Sequence, residues 1–117
     1  MNTRDETYLL DMVDAAREAI GFCQDVTFDE FVENRQKQLA VQKLVQNIGE
    51  AAVHISKSIT DAHADVAWSR IIGMRNIVVH NYSDVDLTIV WNVITHNLPE
   101  LIAQIEHVLS SDSDTSL

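Results

Sequence analysis

The stretch LAVQKLVQNIGEAAVHISKSI, residues 39–59, decides the fold. After Leu39 its apolar positions are Val41, Val45, Ile48, Ala52, Ile55 and Ile59, separated alternately by four and three residues. That alternation is the seam of a helix packed nearly parallel to a neighbour, and it predicts one helix running through Ile59. Gly49 interrupts the helix at a cost of about 1 kcal/mol relative to Ala. The use that offsets this cost is close approach of a neighbouring backbone, since Gly has no Cβ in the way.

Toward the N-terminus, Glu33 to Gln38 is polar and has no strong stop signal, so it is either a bend or the exposed start of the same helix. Thr27-Phe28-Asp29-Glu30 is a capping box, with Phe28, Phe31 and Val32 expected to face inward. Thr3-Arg4-Asp5-Glu6 is a second box, with Thr3 as its cap. It predicts a helix from Arg4 to Phe22, whose inner stripe is Leu9, Met12, Val13, Ala16, Ile20 and Cys23.

Toward the C-terminus, Thr60 to Asp65 is a linker. Trp68, Ile71, Ile72, Val78 and Val79 mark a third long helix from Ala67 to His80, and Asn81-Tyr82-Ser83-Asp84 is turn-like. Asp86 can cap a last helix striped by Leu87, Val90, Trp91, Ile94, Leu98, Leu101, Ile102, Ile105 and Leu109. Pro99 lies inside that stripe and should kink or split the helix near Asn97. Ser110 to Leu117 has no apolar period and reads as a disordered acidic, Ser-rich tail. The expected architecture is all-α: an up-and-down bundle of four main helices plus a short extra helix, in one domain over residues 1–109 followed by the tail at 110–117.

Composition agrees. The chain has 117 residues, enough for one domain, and only 3 Gly and 1 Pro, too little punctuation for many strands and turns. No apolar run approaches the ~18 residues of a membrane span, and the early acids at the start lead one to expect no secretory signal there. The single Cys23 can make no intramolecular disulfide and reads as a small buried hydrophobe, and a reducing cytoplasm is the expected compartment. Lys plus Arg number 8 against 18 Asp plus Glu, a net charge of -10. That excludes a basic protein that coats nucleic acid. It leaves RNA met by a small local cluster of cations, or a basic protein partner.

One segment departs from the acidic helix faces. Gly73-Met74-Arg75-Asn76-Ile77-Val78-Val79-His80-Asn81-Tyr82 sets a permanent cation, an amide, an imidazole and a phenol among aliphatics. Arg offers five fixed donors to a phosphate, and His exchanges protons near neutral pH. With RNA's 2′-hydroxyl as nucleophile, Arg75 and His80 form a minimal kit for cleavage that needs no metal or cofactor. DNA, which lacks that hydroxyl, is not a substrate for this chemistry. On a straight α-helix the two side chains point about 140° apart. They share a site only if the helix ends or bends before His80, or if two chains contribute. The other reading is that Arg75 and His80 are capping and salt-bridge residues near a helix end.

The remaining candidates weigh less. Glu50 and His54 share a helix face, but the spacing differs from a Glu-x-x-His metal motif and has no second copy. No metal site is expected, and Glu50 is expected instead to orient Arg75 or its helix through a hydrogen bond. His63, His96 and His107 are expected to be solvated, and Trp68 and Trp91 to belong to the core. Arg70, Lys57 and Lys43 could rim a cleft or simply lie on a solvated face.

Arg75 to Tyr82 resembles the R-x4-H-x-Y pattern of the HEPN superfamily, in particular its HepT-like branch. The resemblance extends to Thr27-Phe28-Asp29-Glu30-Phe31, Asn47-Ile48-Gly49-Glu50-Ala51-Ala52, Trp68 to Asn76, Asp86 to Trp91 and Asn97-Leu98-Pro99-Glu100-Leu101, so that it spans Tyr8 to Leu109. It implies a helical-bundle ribonuclease toxin acting as a homodimer, with the R-x4-H motifs meeting at the dimer cleft. It also implies an MntA-like nucleotidyltransferase antitoxin that silences the toxin by transferring AMP to Tyr82, with which a higher hetero-oligomer can form. Carried over, Arg75 and His80 are catalytic, Asn76 supports them, and Tyr82 is modified. Asn81 is neutral where many relatives carry a charged residue, and Ser83 stands where an aromatic is frequent. The competing reading is a non-catalytic helical subunit that docks a nucleotidyltransferase.

Overall fold

The structure is a computed structural model that describes residues 1–76 and 86–115, with side chains through Ser111. The chain opens with α1 (Thr3–Phe22), α2 (Phe28–Val32), α3 (Arg35–Val53) and α4 (Lys57–Ala62). It continues with α5 (Trp68–Gly73) and a 3-10 turn (Met74–Asn76), then α6 (Leu87–Asn92), a π turn (Val93–Asn97) and α7 (Leu98–Thr115). No strand is present among the described residues. The fold is an all-α bundle in which α1 packs against both α3 and α7, and α5 with its 3-10 turn lies on α3. No helix among the described residues is long and apolar enough to cross a membrane.

Most of the apolar stripes become the core, with Ile20, Leu87, Ile102 and Leu109 half-buried against it. Leu9, Met12 and Ala16 of α1, Val41, Val45 and Ile48 of α3, and Val90, Ile94, Leu98, Leu101 and Ile105 of the last helical run are all buried. Val93 and Val108 join them. Trp68 is buried, and its indole N–H donates to the His63 carbonyl at 2.9 Å. Trp91 is half-buried against Phe31 at 5.3 Å and edge-on to Phe28 at 5.8 Å.

Several boundaries differ from the sequence reading, each for a physical reason. Asn2, not Thr3, caps α1, its side chain accepting from the Asp5 amide at 2.7 Å. The Thr27 box forms in full: Thr27 N–H donates to Glu30 Oε1 at 3.0 Å, and Glu30 N–H donates to Thr27 Oγ1 at 3.1 Å. Those bonds, from the Thr27 backbone first, hold the Glu30 carboxyl below its usual range. The box is therefore fully formed above the ordinary carboxylate range and is lost as pH falls through the lowered value. Phe31 is fully buried, but Val32 is 41% exposed rather than inward. Asn34 caps α3 by accepting from Lys37 N–H at 2.9 Å, so the polar stretch is both a bend and a start.

The helix expected through Ile59 ends at Val53, with Ser56 as the N-cap of α4. Ile55 and Ile59 keep the phase of the stripe because α4 packs on the same core. The corner is fastened by Asp5, which is 2% exposed. Its carboxylate accepts from the Ser56 amide at 2.9 Å and from the Ser56 hydroxyl. Asp5→Ala leaves both donors unpaired in a partly buried place and should lower stability by about 1–3 kcal/mol in urea unfolding.

Asp86 caps α6 as expected, accepting from Thr88 N–H at 2.9 Å. Pro99 does not split the last helix. The turn before it widens, and Leu98 N–H reaches back five residues to the Val93 carbonyl. A π turn of this kind relieves the clash of the proline ring with the carbonyl four residues earlier. Helical backbone continues to Thr115, beyond the start of the expected tail at Ser110. Ser110 Oγ there donates to the Glu106 carbonyl at 3.0 Å.

Candidate functional site

The α-helix expected from Ala67 to His80 is α only to Gly73 among the described residues, and it tightens to 3-10 over Met74–Asn76. Arg75 therefore stands on a 3-10 turn rather than on the straight α-helix expected. Met74, 3% exposed, anchors the turn in the core. Arg75 follows half-buried, and Asn76 is exposed. His80, Asn81 and Tyr82, with Ile77 to Val79 and the Ser83-Asp84 turn, lie outside the described residues.

The backbone of Arg75 rests on α3 at Gly49. A Cβ placed on Gly49 would stand 2.6 Å from Arg75 N, 2.9 Å from Arg75 Cβ and 3.0 Å from the Ile72 carbonyl oxygen. The glycine is thus required by sterics, and the neighbour anticipated from its sequence position is Arg75 itself. No hydrogen bond or ion pair ties the Arg75 guanidinium to another described residue. Its donors remain available to an anion.

Glu50 does not hydrogen-bond Arg75, contrary to expectation. It is exposed and turns about 100° away from Gly49 around α3. There it lines a groove of about 500 Å³ between α1 and α3, together with Tyr8, Asp11, Asp14, Glu18 and His54. His54 stacks on Tyr8 with ring centroids 4.8 Å apart, so His54 is drawn into an aromatic contact. Among the described residues no three His, Cys, Asp or Glu side chains gather closely enough to hold a metal. Asn47 and Ala51 also line the groove and flank Gly49 by two residues, about 200° around the helix. The acidic groove and the Arg75 contact therefore occupy opposite sides of α3. Much of the charge that would repel a phosphate faces away from Arg75.

The other cations are placed elsewhere. Lys57 pairs with Asp61 at 2.8 Å on the surface, and Arg17 pairs with Glu106 at 2.8 Å. Lys43 is exposed. Arg70 lies along a shallow crease with Asn97, Glu100 and Gln104. His96 and His107 are exposed, and His63 is half-buried. Cys23 is buried, and burial pushes its thiol above the ordinary value despite the opposing effect of Lys37. Both features weigh against a role as nucleophile.

The family model described as ribonuclease HepT-like matches residues 12–108. The chain belongs to the HepT-like ribonuclease family. A Methanocaldococcus jannaschii protein named provisionally as an RNase is 29% identical, over 92% of this chain and 100% of its own. A Caldanaerobacter subterraneus protein with the same provisional name is 31% identical, over 74% of this chain and 78% of its own. A Thermococcus cleftensis protein named provisionally as ribonuclease HepT is 26% identical, over 91% of this chain and 96% of its own. No solved structure matches. Within this HepT-like chain the match takes in the Gly49 and Arg75 contact and the whole Arg75-x4-His80-x-Tyr82 pattern.

Proposed function

We propose that this chain is a metal-independent endoribonuclease toxin, cutting RNA with Arg75 and His80 at a dimer cleft and silenced by adenylylation of Tyr82. The observation that carries the reading is the intact Arg75-x4-His80-x-Tyr82 pattern within a HepT-like match spanning residues 12–108. Two further points support it: the Arg75 guanidinium has no competing ion pair among the described residues, and the acidic groove lies on the far side of α3.

In this reaction His80 takes the proton of the 2′-hydroxyl, whose oxygen attacks the adjacent phosphorus. The bond from phosphorus to the 5′-oxygen breaks, and that oxygen leaves with a proton from a second acid, the natural candidate being His80 of the other subunit. Arg75 holds the phosphate and stabilises the charge that grows on it. The products are a 2′,3′-cyclic phosphate and a 5′-hydroxyl. Asn76, exposed beside Arg75, supports the bound phosphate. The partners are RNA and a cognate MntA-like nucleotidyltransferase, and the compartment is the cytoplasm.

Expression of the chain alone should arrest growth. His80→Ala should abolish the arrest, and co-expression of the nucleotidyltransferase should relieve it. The purified chain should sediment as a dimer at micromolar concentration. Growth without arrest, together with intact RNA after incubation with the purified chain, would instead assign it as a non-catalytic subunit that docks the nucleotidyltransferase.

A further inference from the structure

We infer that Gly49 is the positioning residue for Arg75: the bare backbone of α3 is the surface on which the 3-10 turn rests, and it sets where the guanidinium stands. The inference rests on the ribonuclease reading above for its functional consequence. Its structural basis is independent of that reading.

Three glycines occur in the chain, and they differ sharply. A Cβ on Gly21 or Gly73 would meet nothing within 4 Å, whereas on Gly49 it would meet Arg75 N at 2.6 Å and Arg75 Cβ at 2.9 Å. Two of the three closest atoms belong to Arg75 and the third is the Ile72 carbonyl, all in the segment that delivers Arg75. The colliding atoms are backbone or Cβ, so no side-chain rotation relieves the overlap. Either the 3-10 turn or α3 must move by roughly 0.8 Å to restore ordinary contact. The turn is the element that yields. It follows a six-residue helix, whereas α3 has 19 residues and packs along α1. Met74, buried in the core, anchors the same turn. A misplacement approaching 1 Å at a phosphate-holding group costs a rate factor of about 100.

The test uses the full chain with a labelled RNA. Gly49→Ala should cleave about 100-fold more slowly than wild type, while Gly73→Ala, which adds the same methyl to open space two residues from Arg75, should keep the wild-type rate. Because the effect passes through Arg75, Gly49→Ala should add nothing to the loss already caused by Arg75→Ala. A packing defect acting elsewhere would multiply the two losses. In amide NMR of Gly49→Ala, the Arg75 and Ile72 resonances should move while those of α7 stay in place. Should Gly49→Ala fold poorly, the same measurements are made in a Gly21→Ala background, where the extra methyl meets no neighbour and favours helix. Wild-type cleavage by Gly49→Ala when Arg75→Ala is inactive overturns the inference. So does a multiplicative loss in the double variant. If Arg75→Ala itself cleaves normally, the ribonuclease assignment of Arg75 fails, and the positioning role is judged on the amide spectrum. An unmoved Arg75 resonance then overturns it, and a moved one upholds it.

Discussion

Arg75→Ala is expected to lower RNA cleavage by about 10²–10³-fold, the usual effect of removing a donor aimed at developing charge. His80→Ala is expected to lower it by about 10²–10⁴-fold, the range for a positioned general acid or base. Neither change should alter the far-UV circular dichroism. Arg75 is half-buried and makes no ion pair or side-chain hydrogen bond with a described residue, so its removal leaves no partner stranded. Chelation should leave the wild-type rate unchanged, because in the proposed reaction the 2′-hydroxyl is the nucleophile and Arg75 carries the positive charge. Loss of cleavage with EDTA would replace this mechanism with a metal-dependent one.

The second large effect concerns control of the activity. Tyr82→Phe should keep most of the RNA cleavage, because the proposed reaction uses the phenol as neither acid nor base. The same variant should escape silencing by the cognate nucleotidyltransferase with ATP. Adenylylation would place a negative phosphate and a nucleoside two residues from His80, repelling the RNA phosphate and offering Arg75 a competing anion. Intact-mass measurement on wild type and variant, before and after incubation with partner and ATP, reads the outcome directly. A mass gain of one AMP on Tyr82→Phe, together with lost cleavage, would move the switch to another residue.

The helical character of the chain was legible because its core positions carry the period. Most positions of the α1, α3 and last-helix stripes are buried where their spacing put them, Ile20, Leu87, Trp91, Ile102 and Leu109 being half-buried, and the Thr27 and Asp86 caps form as local chemistry dictates. What escaped the reading is non-local. Asn2 and Thr3 are both good caps, and the choice between them turns on Asp5, which faces Ser56 fifty-one residues away. The break after Val53 is hidden because Ile55 and Ile59 stay in phase with the seam across a corner that has no Gly or Pro. Gly49 announced a close neighbour, but only the packed chain identifies it as Arg75. The expected Glu50 bond failed on simple rotation, since adjacent residues on a helix face directions about 100° apart. For the candidate site, the sequence offered the residue types and their order, and the structure adds the seat on which Arg75 rests. His80 and Tyr82 lie beyond the described residues.

The first turn of α3 has a consequence for how the chain acquires its shape. Lys37 Nζ donates to the Phe22 carbonyl at the end of α1, and Gln38 Nε2 donates to the Phe31 and Val32 carbonyls at the end of α2. One turn thus closes the C-terminal ends of both preceding helices across sequence separations of only 15, 7 and 6 residues. Contacts this local carry little loop-closure entropy and favour rapid folding. The N-terminal half can therefore assemble early around the α1–α3 hairpin, before the Arg75 segment docks on the completed face of α3. In that order the seat at Gly49 is complete before Arg75 is laid on it.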